Sequence, residues 1–317
     1  METIEETPLL KFNSNTLEEV RRELNLDRDG IIKMLESFEE WIDKQNHFIC
    51  VVYVLVYAQA KCVCFLGRYY LETSIICAKG SLERAKKTLD KLCTLKTLLP
   101  TFFSNGSDFV LYCVKIMCFR MQATMPKLLK DSYRLYVLKI VSSDFDPAML
   151  LDFHRFMSEY IKTHDYSLGF TCLIDCRDVN VLNFVSKINV LDLRHSMSVL
   201  MEGYGLRVNA IHLLSSSKAV DALVTLLKQV VSEKIGSRIQ VHKTVESLHE
   251  RVQKEVLPND YGGQEKSLQE VHENVAFFKE ISKACTNEKY RLTAHYNDQI
   301  LGMPGSFRTL TKSHRQS

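Results

Sequence analysis

The 317-residue sequence predicts an α/β fold, a mainly parallel β-sheet backed by helices and preceded by a small all-helical domain. Three observations predict it. From Leu135 to Val241 short apolar runs of strand length alternate with longer runs of helical period, the pattern of βαβ units. Within that stretch, Arg207 to Val231 joins a continuous apolar strand to a helix that is apolar around most of its girth. Upstream, residues 16–104 repeat apolar residues at helical spacings.

The helical region opens with Thr16 and Glu19, a capping-box pattern that starts a short helix through Leu17, Val20 and Leu24. A second helix carries Ile31, Met34, Leu35, Phe38, Trp41 and Ile42. A third follows Gly80-Ser81 with Leu82, Ala85, Leu89 and Leu92 and stops before Pro100. Between the second and third lies Phe48 to Leu66, nearly as long as a bilayer-spanning helix but interrupted by Gln59 and Lys61. Three readings stand for it: a membrane-inserted span, in which Lys61 would be costly, a buried core segment, or a stretch foreign to the native design. Ser107 to Gln122 looks similarly out of place. No functional residue is assigned to either segment.

In the α/β region, Leu135 to Ile140 reads as a strand, and Asp146-Pro147 opens a helix through Met149, Phe153, Phe156 and Ile161. Gly169 to Asp175 is the next strand and Val181 to Met201 a long helix. Val208, Ala210, Ile211, Leu213 and Leu214 form a strand buried on both faces, ending at Ser215-Ser216-Ser217. Ser217 is the expected N-cap of the helix bearing Ala219, Val220, Leu223, Val224, Leu226, Leu227, Val230 and Val231. That stripe is wider than one core-facing seam needs, so the helix is either buried all round or has an apolar ligand or membrane against it. Arg238 to Val241 is a fourth strand. Beyond Gln264, Leu268, Val271, Val275, Phe278 and Ile281 mark an amphipathic helix packing back on the body.

Composition sets limits. A net charge of +3 is too small for nucleic acid to be the main partner, so any basic function is a local patch. The ten cysteines match no zinc spacing, and METIEETPLL is acidic and lacks an apolar signal core. Reduced thiols in a cytoplasmic protein are the expectation. There is no Gly-x-Ser-x-Gly elbow, no phosphate-binding Gly-x-x-x-x-Gly-Lys loop and no His-Glu-x-x-His. Asp175 and Asp178 sit at a strand end, where catalytic carboxylates occur. His212 and His242 lie in or after buried-type strands, which favours structural roles. Ser215 to Ser217 could cap a helix or receive an anion.

Three pieces in order carry a family resemblance: Arg207-Val208…Ile211-His212, Glu233-Lys234-Ile235…Arg238-Ile239…His242, and Leu257-Pro258…Tyr261-Gly262-Gly263. From about Met125 to Gly263 the chain resembles the CRAL-TRIO lipid-binding domain of tocopherol-transfer, retinaldehyde-binding and phosphatidylinositol-transfer proteins. The resemblance implies a sheet floor, helices behind it and a mobile gate helix over an apolar cavity. It implies the division 1–15 (tail), 16–104 (helical), 105–124 (linker), 125–263 (lipid-binding) and 264–317 (C-terminal helix and tail, where Gly305-Ser306-Phe307-Arg308 looks like a docked tail). Relatives have a short polar connection where this chain has 48–66. Asp175 resembles the family's structural aspartate, and Asp178 stands where many relatives have glycine.

The implied pocket is lined by Phe170, Cys172, Ile174, Phe184, Ile211, Leu213, Val220, Leu223, Val224 and Leu227. The implied phosphoinositide site is Arg207, Lys234 and Arg238, with Asn209 in place of a fourth basic residue. A solvated basic edge is the plain alternative for those three. The expected function is that of a non-enzymatic, monomeric carrier of a hydrophobic small-molecule lipid (retinoid, tocopherol or similar), reversibly associated with phosphoinositide-containing membranes. No cofactor, metal or nucleic-acid partner is expected. Two other readings stay open: a membrane-anchored phosphoinositide-binding scaffold without transfer activity, and an enzyme using Asp175 or Asp178.

Overall fold

The computed structural model describes residues 9–45, 47–50, 67–99, 120–141, 160–272 and 292–294, together with 3, 4, 7 and 158. Helix α1 (Thr16–Glu23) does not open on the expected capping box. Thr16 is already helical, its Oγ1 accepting from Asn13 N at 2.9 Å, and Asn15 precedes the helix with Nδ2 donating to Glu19 Oε1 at 2.7 Å. Glu19 is thus drawn to a side chain rather than to the backbone amide that a capping box requires. Helix α2 (Arg28–Asp43) is capped by Asp27, whose carboxylate accepts from Gly30 N at 2.6 Å. Its stripe of Ile31, Leu35, Phe38 and Ile42 is buried, with Met34 and Trp41 packed alongside.

Strand β1 (Phe48–Cys50) pairs antiparallel with β7 (Leu292–Ala294). Phe48 is buried in the helical core, its ring edge-on to Trp41 at 5.6 Å. The first residue of the apolar segment is therefore core, as one of its three readings requires. Residues 51–66 lie outside the described residues. No helix among the described residues is long and apolar enough to cross a membrane.

The sequence reading missed helix α3 (Arg68–Cys77) because it has no solvent face. Tyr70 through Ile76 are all buried, polar Glu72, Thr73 and Ser74 included, so no amphipathic period appears. Its polar residues clamp the helical region to the sheet region. Glu72 Oε1 accepts from Tyr166 at 2.5 Å and from Arg21 Nη2 at 2.6 Å, while the Thr73 hydroxyl donates to Lys162 O at 3.1 Å. Helix α4 (Leu82–Leu98) starts as expected at Ser81, whose hydroxyl accepts from Arg84 N at 3.4 Å.

The main sheet runs β2 (Arg120–Leu128), β3 (Arg134–Ile140), β4 (Phe170–Asp175), β5 (Val208–Leu214), β6 (Ile239–His242) in spatial order. All neighbouring pairs are parallel except the β2–β3 hairpin, so the α/β class holds. Strand β2 crosses the expected linker boundary at residue 124, and Arg120, Met121 and Gln122 of the supposedly misplaced segment pair in register with Ile140, Lys139 and Leu138. Residues 107–119 lie outside the described residues. Of the helix expected from Asp146, only residue 158 and residues 160–164 are described, and they are helical.

The single helix expected over Val181–Met201 is three pieces: α5 (Val181–Ser186), α6 (Val190–Ser198) and a π-helical turn (Val199–Gly203). Asn189 causes the break between α5 and α6, just as Asn180 starts α5. Asn180 Oδ1 accepts from Asn183 N at 3.1 Å, and Asn189 Oδ1 accepts from Leu191 N at 2.9 Å, so each starts a new helix. Helix α7 (Val220–Val230) starts later than expected, and Ser217 is not its cap. The Ser217 hydroxyl accepts from Ala219 N at 3.2 Å, closing a turn before the helix.

After α7 come α8 (Glu233–Gly236), β6, α9 (Val245–His249) and a 3-10 turn (Asn259–Tyr261). Gly263 closes the Pro258 turn: a Cβ there would stand 2.0 Å from Leu257 O, so no side chain fits. Helix α10 (Leu268–His272) packs Leu268 and Val271 on the sheet as expected; Val275, Phe278, Ile281 and residues 305–308 lie outside the described residues.

Candidate functional site

The sheet has two faces with different chemistry. On one, register lines up apolar rows: Tyr136, Cys172 and Ile211 in one, Leu138, Ile174 and Leu213 in the next, with Phe170 beside Val208. A bulge makes this possible. Phe170 pairs with Val208 while Thr171 pairs with Ala210, so Asn209 is an extra residue in β5. Val208 and Ile211, three positions apart, therefore line the same cavity.

That cavity has a volume of about 180 Å³ and is walled by the sheet row, by α5 and α6, and by Leu223, Leu226 and Leu227 of α7. Its few polar atoms are muted. The Tyr136 hydroxyl donates to Gln122 Oε1 at 2.7 Å, and burial pushes the Cys172 thiol up to about 12, so it stays a neutral, near-apolar wall. Cys77, Cys93, Cys172 and Cys176 are free thiols. Of the ten residues expected to line the pocket, Phe170, Cys172, Ile174, Phe184, Ile211, Leu223 and Leu227 do. Leu213, Val220 and Val224 do not; they pack in the surrounding core cluster.

Sequence reasoning missed Val208, Leu226, Val231 and the β3 row Tyr136, Leu138, Ile140. The β3 row was available from strand alternation once one of its residues was placed. Val208 was not, because the bulge breaks that alternation. Ile188, Leu193, Met197, Leu200 and Met201 also line the cavity, at positions that one unbroken helix would have rotated elsewhere.

Beyond the lower end of α7 the structure brings Arg207, Lys234 and Arg238 together and adds two residues the sequence reading missed. The charges of Lys234 and Arg207, then those of Arg84 and Arg238, hold the Lys79 ammonium below the usual lysine range. Lys79 lies in the turn between α3 and α4 and Arg84 in the first turn of α4, so five cations from the two regions feel one another's charge. Arg207 lies over the Tyr133 ring and donates to its hydroxyl at 2.8 Å; Arg238 Nη1 donates to Val208 O at 2.6 Å; Lys234 is exposed. Asn209 is held by Asp131, its Nδ2 donating to Oδ2 at 2.9 Å. Near the cavity's outer rim, α5 and α6 leave Leu182 60% and Leu191 57% exposed.

The two aspartates face away from the cavity. Asp175 is fully buried and accepts from Arg177 N at 3.1 Å and from Arg177 Nη2 at 2.7 Å. Arg177 in turn lies over the ring of Tyr261, whose phenol is raised by burial and by Asp175. This is a brace for the Pro258–Gly263 turn. Asp178 pairs with Lys139 at 2.8 Å, and that bond lowers its carboxyl below the usual range. Ser215 Oγ accepts from Ser217 N at 3.3 Å, so these serines organise the turn. Among the described residues no three His, Cys, Asp or Glu side chains converge as a metal site.

A mainly parallel sheet enclosing an apolar cavity under one helix, with a cationic cluster at that helix's end, defines an α/β domain of the hydrophobic-pocket class. Residues 114–263 match the family model of the CRAL/TRIO domain, so this part of the chain is similar to a family whose members are generally lipid-binding and lipid-transfer proteins. The chain is 26% identical over 96 residues to "Alpha-tocopherol transfer protein-like" of Mus musculus, covering 30% of this chain and 28% of that protein. It is 29% identical over 141 residues to "Clavesin-2" of Homo sapiens, covering 42% and 43%. The chain thus spans less than half the length of these curated relatives. A solved structure, "Crystal structure of Sfh5", aligns over 97% of this chain and 100% of its own at 12% identity, with a TM-score of 0.41.

Proposed function

We propose that this protein is a carrier of one hydrophobic small lipid, of retinoid or tocopherol size, which it exchanges at phosphoinositide-containing membranes without making or breaking a bond. The observation that carries the reading is the apolar cavity beneath α7. An apolar cavity stays dry, and each 100 Å² of lipid surface buried in it is worth about 2.5 kcal/mol, so no charged anchor is needed. At about 180 Å³ the cavity is smaller than the ~300–1,000 Å³ of pockets that hold whole ligands, so α7 moves outward to admit one.

The same helix links cargo to membrane. Its C-terminal end leads through Val231 into α8 and Lys234, so an anionic surface that engages the five cations acts on the gate's hinge. Guanidinium groups take phosphate in bidentate fashion, and lysines add point charge. Exposed Leu182 and Leu191 give the adjacent rim an apolar edge for the interface. Docking favours the open state by contacting it better, which releases or captures cargo. The protein acts as a monomer in the cytoplasm, reversibly bound to membrane.

Native mass spectrometry with lipid extraction, on protein purified from eukaryotic cells, tests this. One hydrophobic molecule bound one-to-one supports the carrier and names its cargo. A reproducibly empty, folded protein that stays in the membrane pellet through a carbonate wash would overturn it in favour of an anchored scaffold. Turnover of a candidate lipid, abolished by Asp175→Asn or Asp178→Asn, would favour an enzyme.

A further inference from the structure

We infer that the face of the sheet opposite the lipid cavity holds a second binding site, polar rather than apolar, for a small phosphorylated polyol. The pocket there has a volume of about 380 Å³, and Thr171 of β4, His212 of β5, Gln240 of β6, Lys130 and Arg251 are among its walls. That volume lies within the ~300–1,000 Å³ usual for small-molecule sites. It does not depend on the carrier reading, since only the thickness of one sheet separates two chemically unlike cavities.

Two buried groups at the floor call for a ligand's polar atoms. Thr171 is 3% exposed, and its hydroxyl is buried without a hydrogen-bond partner. Such an orphaned hydroxyl is costly unless something in the pocket meets it. His212 is also 3% exposed, and its tautomer follows from its neighbours. The Ser247 hydroxyl donates to Thr244 O at 2.8 Å, so toward His242 Nδ1, at 3.4 Å, it accepts. His242 therefore carries its proton on Nδ1 and offers Nε2 as an acceptor. His212 Nδ1, 2.9 Å away, must be the donor, which leaves His212 Nε2 as a bare lone pair on the ring that lines the pocket. Burial, then His242 and Arg251, hold this imidazole down to about 4, so it remains an acceptor at neutral pH.

The rim supplies the opposite chemistry. Lys130 and Arg251 are exposed cations, while Asp131, the acidic residue of the lining, is already engaged by Asn209 at 2.9 Å and accepts from Tyr133 N at 3.4 Å. A hydroxyl donor is wanted at the floor and an anion at the mouth. A polyol phosphate offers both, with Gln240 able to donate to or accept from a second hydroxyl. Metal binding does not fit, because the lining has one His and one Asp.

Isothermal titration of the full chain with glycerol 3-phosphate tests the site. Saturable one-to-one binding is expected, weakened about tenfold or more by Thr171→Val and by Arg251→Ala, and unchanged by Lys234→Ala at the cationic cluster. Both weakening changes are mild for folding, and the imidazole resonances of His212 should shift on titration as a check independent of mutation. Absence of saturable binding overturns the inference, as does binding that ignores Thr171→Val and Arg251→Ala or is lost with Lys234→Ala. Phosphatidylinositol-containing vesicles then identify the source: if Thr171→Val leaves vesicle binding intact the site takes the free solute, and if it weakens both it takes the headgroup.

Discussion

Val208 and Ile211 stand three residues apart in one strand yet line the same cavity, because Asn209 is an extra residue opposite the Phe170–Thr171 step. Deleting Asn209 removes the extra residue and leaves Val208 two positions from Ile211, where regular alternation keeps it on the cavity face with its pairing to Phe170 unchanged. What is lost is the local bend and the Asn209–Asp131 contact. The expected outcome is bound lipid retained in native mass spectrometry and a stability loss of about 1 kcal/mol in urea denaturation.

Cys172 sits mid-row on the cavity floor between Tyr136 and Ile211. Cys172→Phe fills much of the space without introducing a polar atom. Lipid occupancy should fall severalfold, stability should change by about 1–3 kcal/mol from overpacking, and affinity for anionic vesicles should stay unchanged.

Lys234 is exposed and its side chain makes no bond among the described residues, unlike Arg238 with its contact to Val208 O. Lys234→Glu removes one positive charge and adds a negative one, worth about 1 kcal/mol each at an anionic surface. Vesicle co-sedimentation should weaken about thirtyfold at low salt and much less at high salt. Leu191→Ser should also weaken it, but with little salt dependence, since the loss there is apolar and no charge is added.

Glu72 holds Arg21 and Tyr166 from the middle of α3. Glu72→Gln keeps the shape and leaves a buried guanidinium without its counter-charge. A loss of about 3 kcal/mol is expected, read as a lower urea midpoint, with lipid occupancy retained in the surviving folded fraction.

His212 titrates near 4 in the folded protein against an ordinary value of 6.5. Between those values the unfolded chain binds the proton and the folded one does not, so stability falls as pH drops through that window and levels off below it. The loss from this group is roughly 3 kcal/mol. Unfolding free energies measured from pH 7 to pH 4 should show the slope, and His212→Gln should flatten it.

The parts of the fold legible in the sequence were those with one dominant period. Helices α2 and α4 show a buried stripe against a wet face, and β3, β4 and β5 are short apolar runs between turn residues. Hidden elements had no such contrast: α3 is enclosed on all sides, and β2 is an antiparallel strand placed against the parallel rule by a hairpin. The site was legible where strand and family pattern agreed, at Phe170, Cys172, Ile174 and Ile211. It was illegible where geometry intervened, at the Asn209 bulge and the Asn189 restart, and where charge came from the other region, at Lys79 and Arg84.

The pairing of Phe48–Cys50 with Leu292–Ala294 has a consequence in time. Phe48 is part of the helical core, yet the strand that completes its ladder is synthesised only after the whole α/β region. The sheet domain can close while the chain is still growing, but β1 waits with an open edge. A chaperone that shields this edge, or a chain stalled before residue 292, would reveal an intermediate in which the lipid pocket has formed and the amino-terminal helices have not finished docking.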